Sequence, residues 1–337
     1  NKMENQNKRF QTALLLILVL ILAIFFLSLT AGLTPLSLKD IFRILFGGGK
    51  REEKLILFHY RMIRILVALL VGAGLSVSGM IFQTISKNSL ASPDLLGVSA
   101  GAGLSVLLLS YFYKGSSAFG IFVLPLFSTV GALAAAILIY TLASRKDQYL
   151  SPIRLILMGI AVSSGIHSLD MIVSIRLSPE QYNRVNTWMI GSVFGNTWTH
   201  VLVLLLWLML ILPVIFYHAM DLNLLRLSDG IAIGLGSDLK RGRLAFLALA
   251  VMLAAACVSV GGAISFVGLI CPHLARKMVG PNHRLSLPIS ALLGALLLMS
   301  ADLIARTIIA PRELLLGIVV SLVGAPYFLY ILLTSKK

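Results

Sequence analysis

Residues 243–270 read RLAFLALAVMLAAACVSVGGAISFVGLI. Beyond Arg243 the stretch carries no charge, so it calls for an apolar surrounding. It is too long for one simple bilayer crossing, which takes about 20 helical residues. Gly261 and Gly262 stand together within it, where helix propensity is poor. Breaking the stretch there gives one full span and a short eighth element ending near Pro272. That division turns nine hydropathy blocks into ten crossings.

The other blocks surround it in the same register. Residues 12–32, 62–82, 119–143, 152–174, 198–217, 285–309 and 314–333 each approach or exceed a bilayer-spanning length, and 95–112 is slightly shorter. The chain is 58% hydrophobic and 12% charged, with a mean hydropathy of +0.96. A soluble domain carries about 25% charged residues. The expected fold class is therefore an all-α integral membrane protein of about ten transmembrane helices. No linker separates two domains, so residues 1–337 read as a single polytopic domain. Residues 1–11 form its N-terminal tail, and 221–243 is the most polar stretch of the second half. The basic flank of the first block (Lys2, Lys8, Arg9) is like that of a signal peptide. The apolar core behind it is longer than such a peptide carries, so it reads as a retained first span.

A net charge of +15 raises the question of nucleic acid. The Lys and Arg residues stand at the ends of apolar blocks, as topology determinants do, with no basic stripe or nucleic-acid motif. Basic residues at both termini (Lys2, Lys8, Arg9; Lys336, Lys337) place both in the cytoplasm and require an even number of crossings. Arg145, Lys146, Arg154, Arg226, Lys240, Arg241, Arg243, Arg276, Lys277 and Arg284 then fall inside. Seven basic residues from Lys39 to Arg64 fall outside, against the usual tendency.

Several chemistries are missing. Gly47, Gly48, Gly49 and Lys50 do not make a phosphate loop, because Arg51 follows and no strand pattern precedes. There is no HExxH and no GxSxG. Cys257 and Cys271 lack metal-ligand or disulfide spacing and read as small buried hydrophobes. Energy must come from an ion gradient or from another subunit. Within the apolar blocks, His167 with Asp170 and Asp302 with Arg306 share helix faces. Each reads as a neutralised pair, with a proton relay or partner contact as alternatives. Gly72, Ala73, Gly74, Ser76, Ser78 and Gly79 in one span, and Ser99, Gly101 and Gly103 in the next, permit close helix approach. The leucines and isoleucines between Leu222 and Leu235 alternate with charges. That suits short amphipathic helices against a partner, or else a solvated loop.

Taken in order, these residues resemble the permease family of ABC importers for iron siderophores, haem and cobalamin. The resemblance runs from Arg61 to Phe328. Its densest blocks are Gly72-Ala73, Ser78-Gly79 and Gln83, then residues 88–102 (NSLASPDLLGVSAGA), then 262–276 (GAISFVGLICPHLAR). Trp188, Gly191-Ser192, Gly280, His283-Arg284, Leu287-Pro288, Ala301-Asp302, Arg306, Glu313, Gly317 and Gly324-Ala325-Pro326 continue it. The chain departs from the family at Ser89, at Met62-Ile63 and at Leu315, where a proline is usual, and at Ser228-Asp229 for the usual Gly-Glu.

The resemblance implies a type II ABC importer permease in a bacterial cell membrane. It implies a second permease chain, two cytoplasmic ATPase subunits that use ATP, and an extracytoplasmic siderophore-binding protein. No cofactor, metal or catalytic residue is expected in this chain. By the same resemblance Arg61, Arg64 and Arg306 meet the binding protein. Leu225, Asp229, Ala232, Leu235 and Gly236 belong to the coupling segment that takes up ATPase motion, with Gly236 expected where backbones approach closely. Gln83, Asn88, Leu90, Ser151 and Pro152 belong to the path and inner gate. The expected function is the translocation path for a ferric siderophore. Cobalamin or haem transport, a gradient-driven secondary transporter, and a membrane enzyme using His273 and His283 are the alternatives.

Overall fold

The computed structural model describes residues 2–334 except 33, 35, 113–118, 145–150, 237 and 310. Arg145, Lys146, Lys336 and Lys337, which entered the charge reading, lie outside the described residues. Every regular element among the described residues is helical. In chain order they are α1 (Lys2–Thr30), α2 (Leu38–Leu45), α3 (Arg51–Leu55) and α4 (Met62–Ile85), the last two joined through a π-helical turn at Ile56–Arg61. A 3-10 turn, Pro93–Leu96, leads into α5 (Val98–Phe112), followed by α6 (Phe119–Ala143), α7 (Pro152–Ser174) and α8 (Pro179–Ile190). The rest are α9 (Trp198–Tyr217), α10 (Ala219–Leu225), α11 (Asp229–Gly234), α12 (Leu239–Gly261), α13 (Val267–Val279), α14 (His283–Thr307) and α15 (Leu316–Thr334).

Eight of these helices are long and apolar enough to cross a membrane. The shorter apolar helix α5 and the helix α13 pack among them. The start of α1 and the finish of α15 lie at one end of the bundle, here called the terminal end. Gln6 Nε2 donates to the Val279 carbonyl at 2.9 Å, and Lys277 Nζ stands 5.5 Å from the centre of the Tyr330 ring. This places the start of α1 and the finish of α15 beside the end of α13.

Helix α4 is the axis of the fold, buried on nearly every side from Val67 to Ile85. Its small residues make this possible. A Cβ at Gly72 would lie 2.2 Å from the Gly294 carbonyl oxygen, and one at Gly79 would lie 1.9 Å from that of Gly268. Backbones therefore touch where α4 crosses α14 and α13, as small residues allow in apolar surroundings. Ser76 and Ser78 donate to the carbonyls of Ser290 and Ala250, each at 2.7 Å. These hydroxyls find partners across the crossings instead of being stranded among apolar groups. Cys257 is free and buried, with its sulfur against Gly74, so it acts as filler.

The long block breaks at Gly261-Gly262. Gly262 has φ +74°, and a Cβ there would fall 2.1 Å from the Trp188 carbonyl oxygen. The element that follows does not stop at Pro272. Helix α13 carries Pro272 inside it and continues to Val279. Proline removes the N–H that would bond the carbonyl four residues back, that of Gly268. The Gln83 amide supplies donors in its place, at 3.4 Å to Gly268 O and 3.0 Å to Leu269 O. Gln83 is buried in the α4–α13 contact, and its Oε1 also accepts from the Arg276 guanidinium.

Candidate functional site

At the terminal end, α10 and α11 lie across the bundle. Leu222, Leu225 and Ala232 turn inward and are buried, while Leu227, Ile231, Ile233 and Leu235 remain exposed. This is the split expected of an amphipathic pair, with an anchored face and a free apolar one. Ser228 stands before α11 with an extended backbone, and Asp229 opens the helix. The Asp229 carboxylate reaches back to the bundle. Oδ1 accepts from Lys87 Nζ at 2.7 Å and from the Arg243 guanidinium at 2.6 Å. Lys87 Nζ also donates to the Leu227 carbonyl at 2.8 Å. Partial burial opposes ionisation of Asp229, but the hydrogen bonds from Lys87 and Arg243 outweigh it and hold the carboxyl below its usual 3.8.

Lys87 has φ +50°, an uncommon conformation for a residue with a side chain, and it starts the turn to Asn88. Asn88 Oδ1 accepts from the Leu90 backbone N–H at 2.9 Å, and the Asn88 carbonyl accepts from the N–H of Ala91 at 3.2 Å. A side-chain turn of this kind holds the chain where the family's proline is replaced by Ser89. Ser151 precedes α7 with an extended backbone and Pro152 occupies its first position, a favourable helix start. All four residues, Asn88, Leu90, Ser151 and Pro152, are half-exposed. No hydrogen bond joins the two turns among the described residues.

Gly236 has φ +82°, and a Cβ built there meets nothing within 4 Å. Among the described residues of this chain, no other backbone approaches Gly236 closely. Glycine suits it because the left-handed conformation penalises a side chain.

The opposite end holds the arginine cluster. Arg61 donates to the carbonyls of Leu29, Thr30 and Thr34, and Arg306 to those of Ser28 and Ala31 at 2.6 and 3.5 Å. Most of these carbonyls belong to the last turn of α1, which has no helical partners for them and a partial negative charge. Arg64 joins the Asp302 carboxylate and reaches Glu313 at 2.6 Å. Asp302 is only 1% exposed and also faces Arg306 at 3.7 Å. The three arginines are thus turned inward as caps and ion-pair partners, not held out as free cations. They line one wall of a cavity of about 380 Å³, with His59, Tyr60, Asn196 and Glu313 around it.

His167 and Asp170 do meet, with Nδ1 and Oδ2 3.3 Å apart on α7. His283, an enzyme candidate by sequence, is only 1% exposed and is occupied by Thr84 and Asn223. No cluster of three or more metal-ligating side chains occurs among the described residues. A second cavity, of about 580 Å³, lies beside α15, and small residues (Ala263, Ser265, Gly317, Ser321 and Ala325) supply half of its lining.

The sequence reading did not single out Lys87, Thr84 or Asn223. Each is a single polar residue at the margin of an apolar segment. Their partners are far along the chain: Asp229 stands 142 residues from Lys87, and His283 stands 199 from Thr84.

Residues 19–334 match the FecCD transport family. The iron(3+)-hydroxamate import system permease protein FhuG of Bacillus subtilis is 41% identical over 94% of this chain and 95% of its own length. The Fe(3+) dicitrate transport system permease protein FecD of Escherichia coli is 38% identical over 92% and 94%. A solved structure of a metal-chelate type ABC transporter in an inward-facing conformation superposes with a TM-score of 0.84. It is 27% identical, covering 97% of this chain and 100% of that one. With eight membrane-length helices and a family match along nearly its whole length, this chain is a multi-pass permease of the FecCD transport family.

Proposed function

We propose that this chain forms the translocation path of an ATP-driven importer for a ferric siderophore, with a ferric hydroxamate as the first candidate cargo. The observation that carries the reading is the family membership over residues 19–334. The hydroxamate-import permease, 41% identical over nearly all of both chains, favours that cargo. The chain would work with a second permease subunit, two cytoplasmic ATPases and an extracytoplasmic binding protein. The bilayer would be a bacterial cell membrane with both termini inside.

Four features support these roles. The exposed row Leu227, Ile231 and Leu235 offers an ATPase an apolar surface on a segment anchored by Leu225 and Ala232. Asp229 links that surface to Lys87 and so to the turn at Asn88 and Leu90, the proposed inner gate, with Ser151 and Pro152 as its other side. Exposed apolar faces on α7 and α15 suit a second permease subunit. The cavity rimmed by Arg61, Arg64 and Arg306 is the proposed contact for the binding protein. Held arginines orient a charged partner there without the entropy cost of ordering them.

Deleting the chain in its host and following radiolabelled uptake tests the cargo. Loss of ferric trihydroxamate uptake, with uncomplexed iron unaffected, is the expected result. Normal hydroxamate uptake with loss of haem or cobalamin uptake would reassign the cargo.

A further inference from the structure

Three elements meet at a buried hydrogen-bonded histidine. His283 opens α14 and is 1% exposed. Its backbone N–H donates to Asn223 Oδ1 on α10 at 3.0 Å, and its Nδ1 stands 2.7 Å from the same oxygen. On the other side, Nε2 lies 2.8 Å from Thr84 Oγ1 in the last turn of α4. Asn223 Nδ2 donates to Asn282 Oδ1 at 3.1 Å, and Asn282 caps α14 by accepting from the Arg284 N–H at 3.1 Å. Arg226, just after α10, donates to the Pro281 carbonyl at 3.1 Å.

The donors and acceptors close in one arrangement of a neutral ring. An amide oxygen can only accept, so Nδ1 carries the hydrogen. Nε2 is then the acceptor, and the Thr84 hydroxyl, which also stands 2.8 Å from the Met80 carbonyl of its own helix, gives its one hydrogen to the ring in this arrangement. The two ring nitrogens are committed to different helices, Nδ1 to α10 and Nε2 to α4. Thr84 lies three residues before Lys87, so this contact is the buried counterpart of the surface pair between Lys87 and Asp229.

We infer that His283 is the strut through which displacement of α10 is passed to the end of α4 and on to the turn at Asn88. It is a positioning residue, acting on the gate turn through Thr84. The inference rests on the proposal that α10 and α11 receive the ATPase. It adds a defined route across which their motion reaches the spans. A buried polar contact suits this task because its partners lose a specific geometry if one moves alone.

The test uses the assembled transporter in proteoliposomes, with its ATPase and binding protein. Import of radiolabelled ferric trihydroxamate is measured per ATP hydrolysed. Thr84→Val keeps the volume and removes the hydroxyl, Thr84→Ser restores it, and Asn223→Ala breaks the other side. Thr84→Val and Asn223→Ala are each expected to lower the ratio about tenfold, with hydrolysis and melting temperature near those of the wild type. The double variant should be no worse than the weaker single one, because both cut the same strut. Thr84→Ser should import like the wild type. An unchanged ratio in Thr84→Val and Asn223→Ala would overturn the inference. So would losses that multiply in the double variant, or a parallel fall in import, hydrolysis and melting temperature. Failure of the wild-type complex to import any ferric chelate would instead refute the functional proposal on which the inference rests.

Discussion

Lys87 Nζ lies 2.7 Å from Asp229 Oδ1 and bridges the turn after α4 to the first residue of α11. The carboxylate is shared with Arg243, whose side chain is 3% exposed. A surface ion pair alone contributes little. This one has a buried partner and a backbone acceptor in Leu227, so it fixes where α11 sits. Replacing Asp229 by Lys brings three cations together and should lower import more than tenfold while the subunit still reaches the membrane. The swap Lys87→Asp with Asp229→Lys should recover only part of the loss, because Arg243 then faces a cation. Normal import by the single Asp229→Lys variant would show that the pair carries no load.

The same contact sets a pH dependence. The folded state holds Asp229 below its usual 3.8, so ionisation favours folding. That contribution is full above the unfolded value and fades as pH falls through the lower folded one. Melting of the wild type and of Asp229→Asn in detergent should differ by a constant amount from about pH 5 upward and converge below about pH 4. A difference that grows on acidification would contradict the assigned partners.

Two glycines should respond differently to substitution. Gly79→Ala places a Cβ against the Gly268 carbonyl at 1.9 Å, where neither backbone can yield cheaply. A cost of at least about 1–3 kcal/mol is expected, read as a lower melting temperature and poor recovery. Gly236→Ala meets open space and bears only the strain of its positive φ, about 1 kcal/mol. Equal effects of the two changes would undo the account of α4 as the close-packed axis.

Arg64 has a structural role besides the docking role proposed for it. Arg64→Ala leaves Asp302 with only Arg306 at 3.7 Å, and breaking such a buried pair costs about 3–5 kcal/mol. The variant should melt lower before any docking measurement is made. Arg64→Ala with Asp302→Ala should recover much of that stability. Binding-protein capture by this double variant then reports docking separately.

The blocks, their number and the break at Gly261-Gly262 were legible because hydropathy and glycine propensity are local properties. The extension of α13 beyond Pro272 was not. There the carbonyl of Gly268, freed by Pro272, and its neighbour at Leu269 meet the amide of Gln83, 185 and 186 residues away along the chain. Charge counting located the basic surplus around Arg61 and Arg64 but could not give side-chain direction. That direction is set by the unpaired carbonyls at the end of α1 and by Asp302. At Gly236 the positive φ alone favours glycine within this chain, a backbone property that the residue type signals but does not specify. The amphipathic pattern from Leu222 to Leu235 could equally have been a solvated loop, and burial of Leu222, Leu225 and Ala232 separates the two.

The proposed function has this permease moving a ferric chelate on energy delivered by a separate ATPase. Import of radiolabelled ferric trihydroxamate into proteoliposomes holding the complete transporter, with binding protein outside, tests it most directly. Uptake should require ATP inside the vesicle and persist when ionophores collapse every ion gradient. Uptake driven by an ion gradient with no ATP present would contradict the claim.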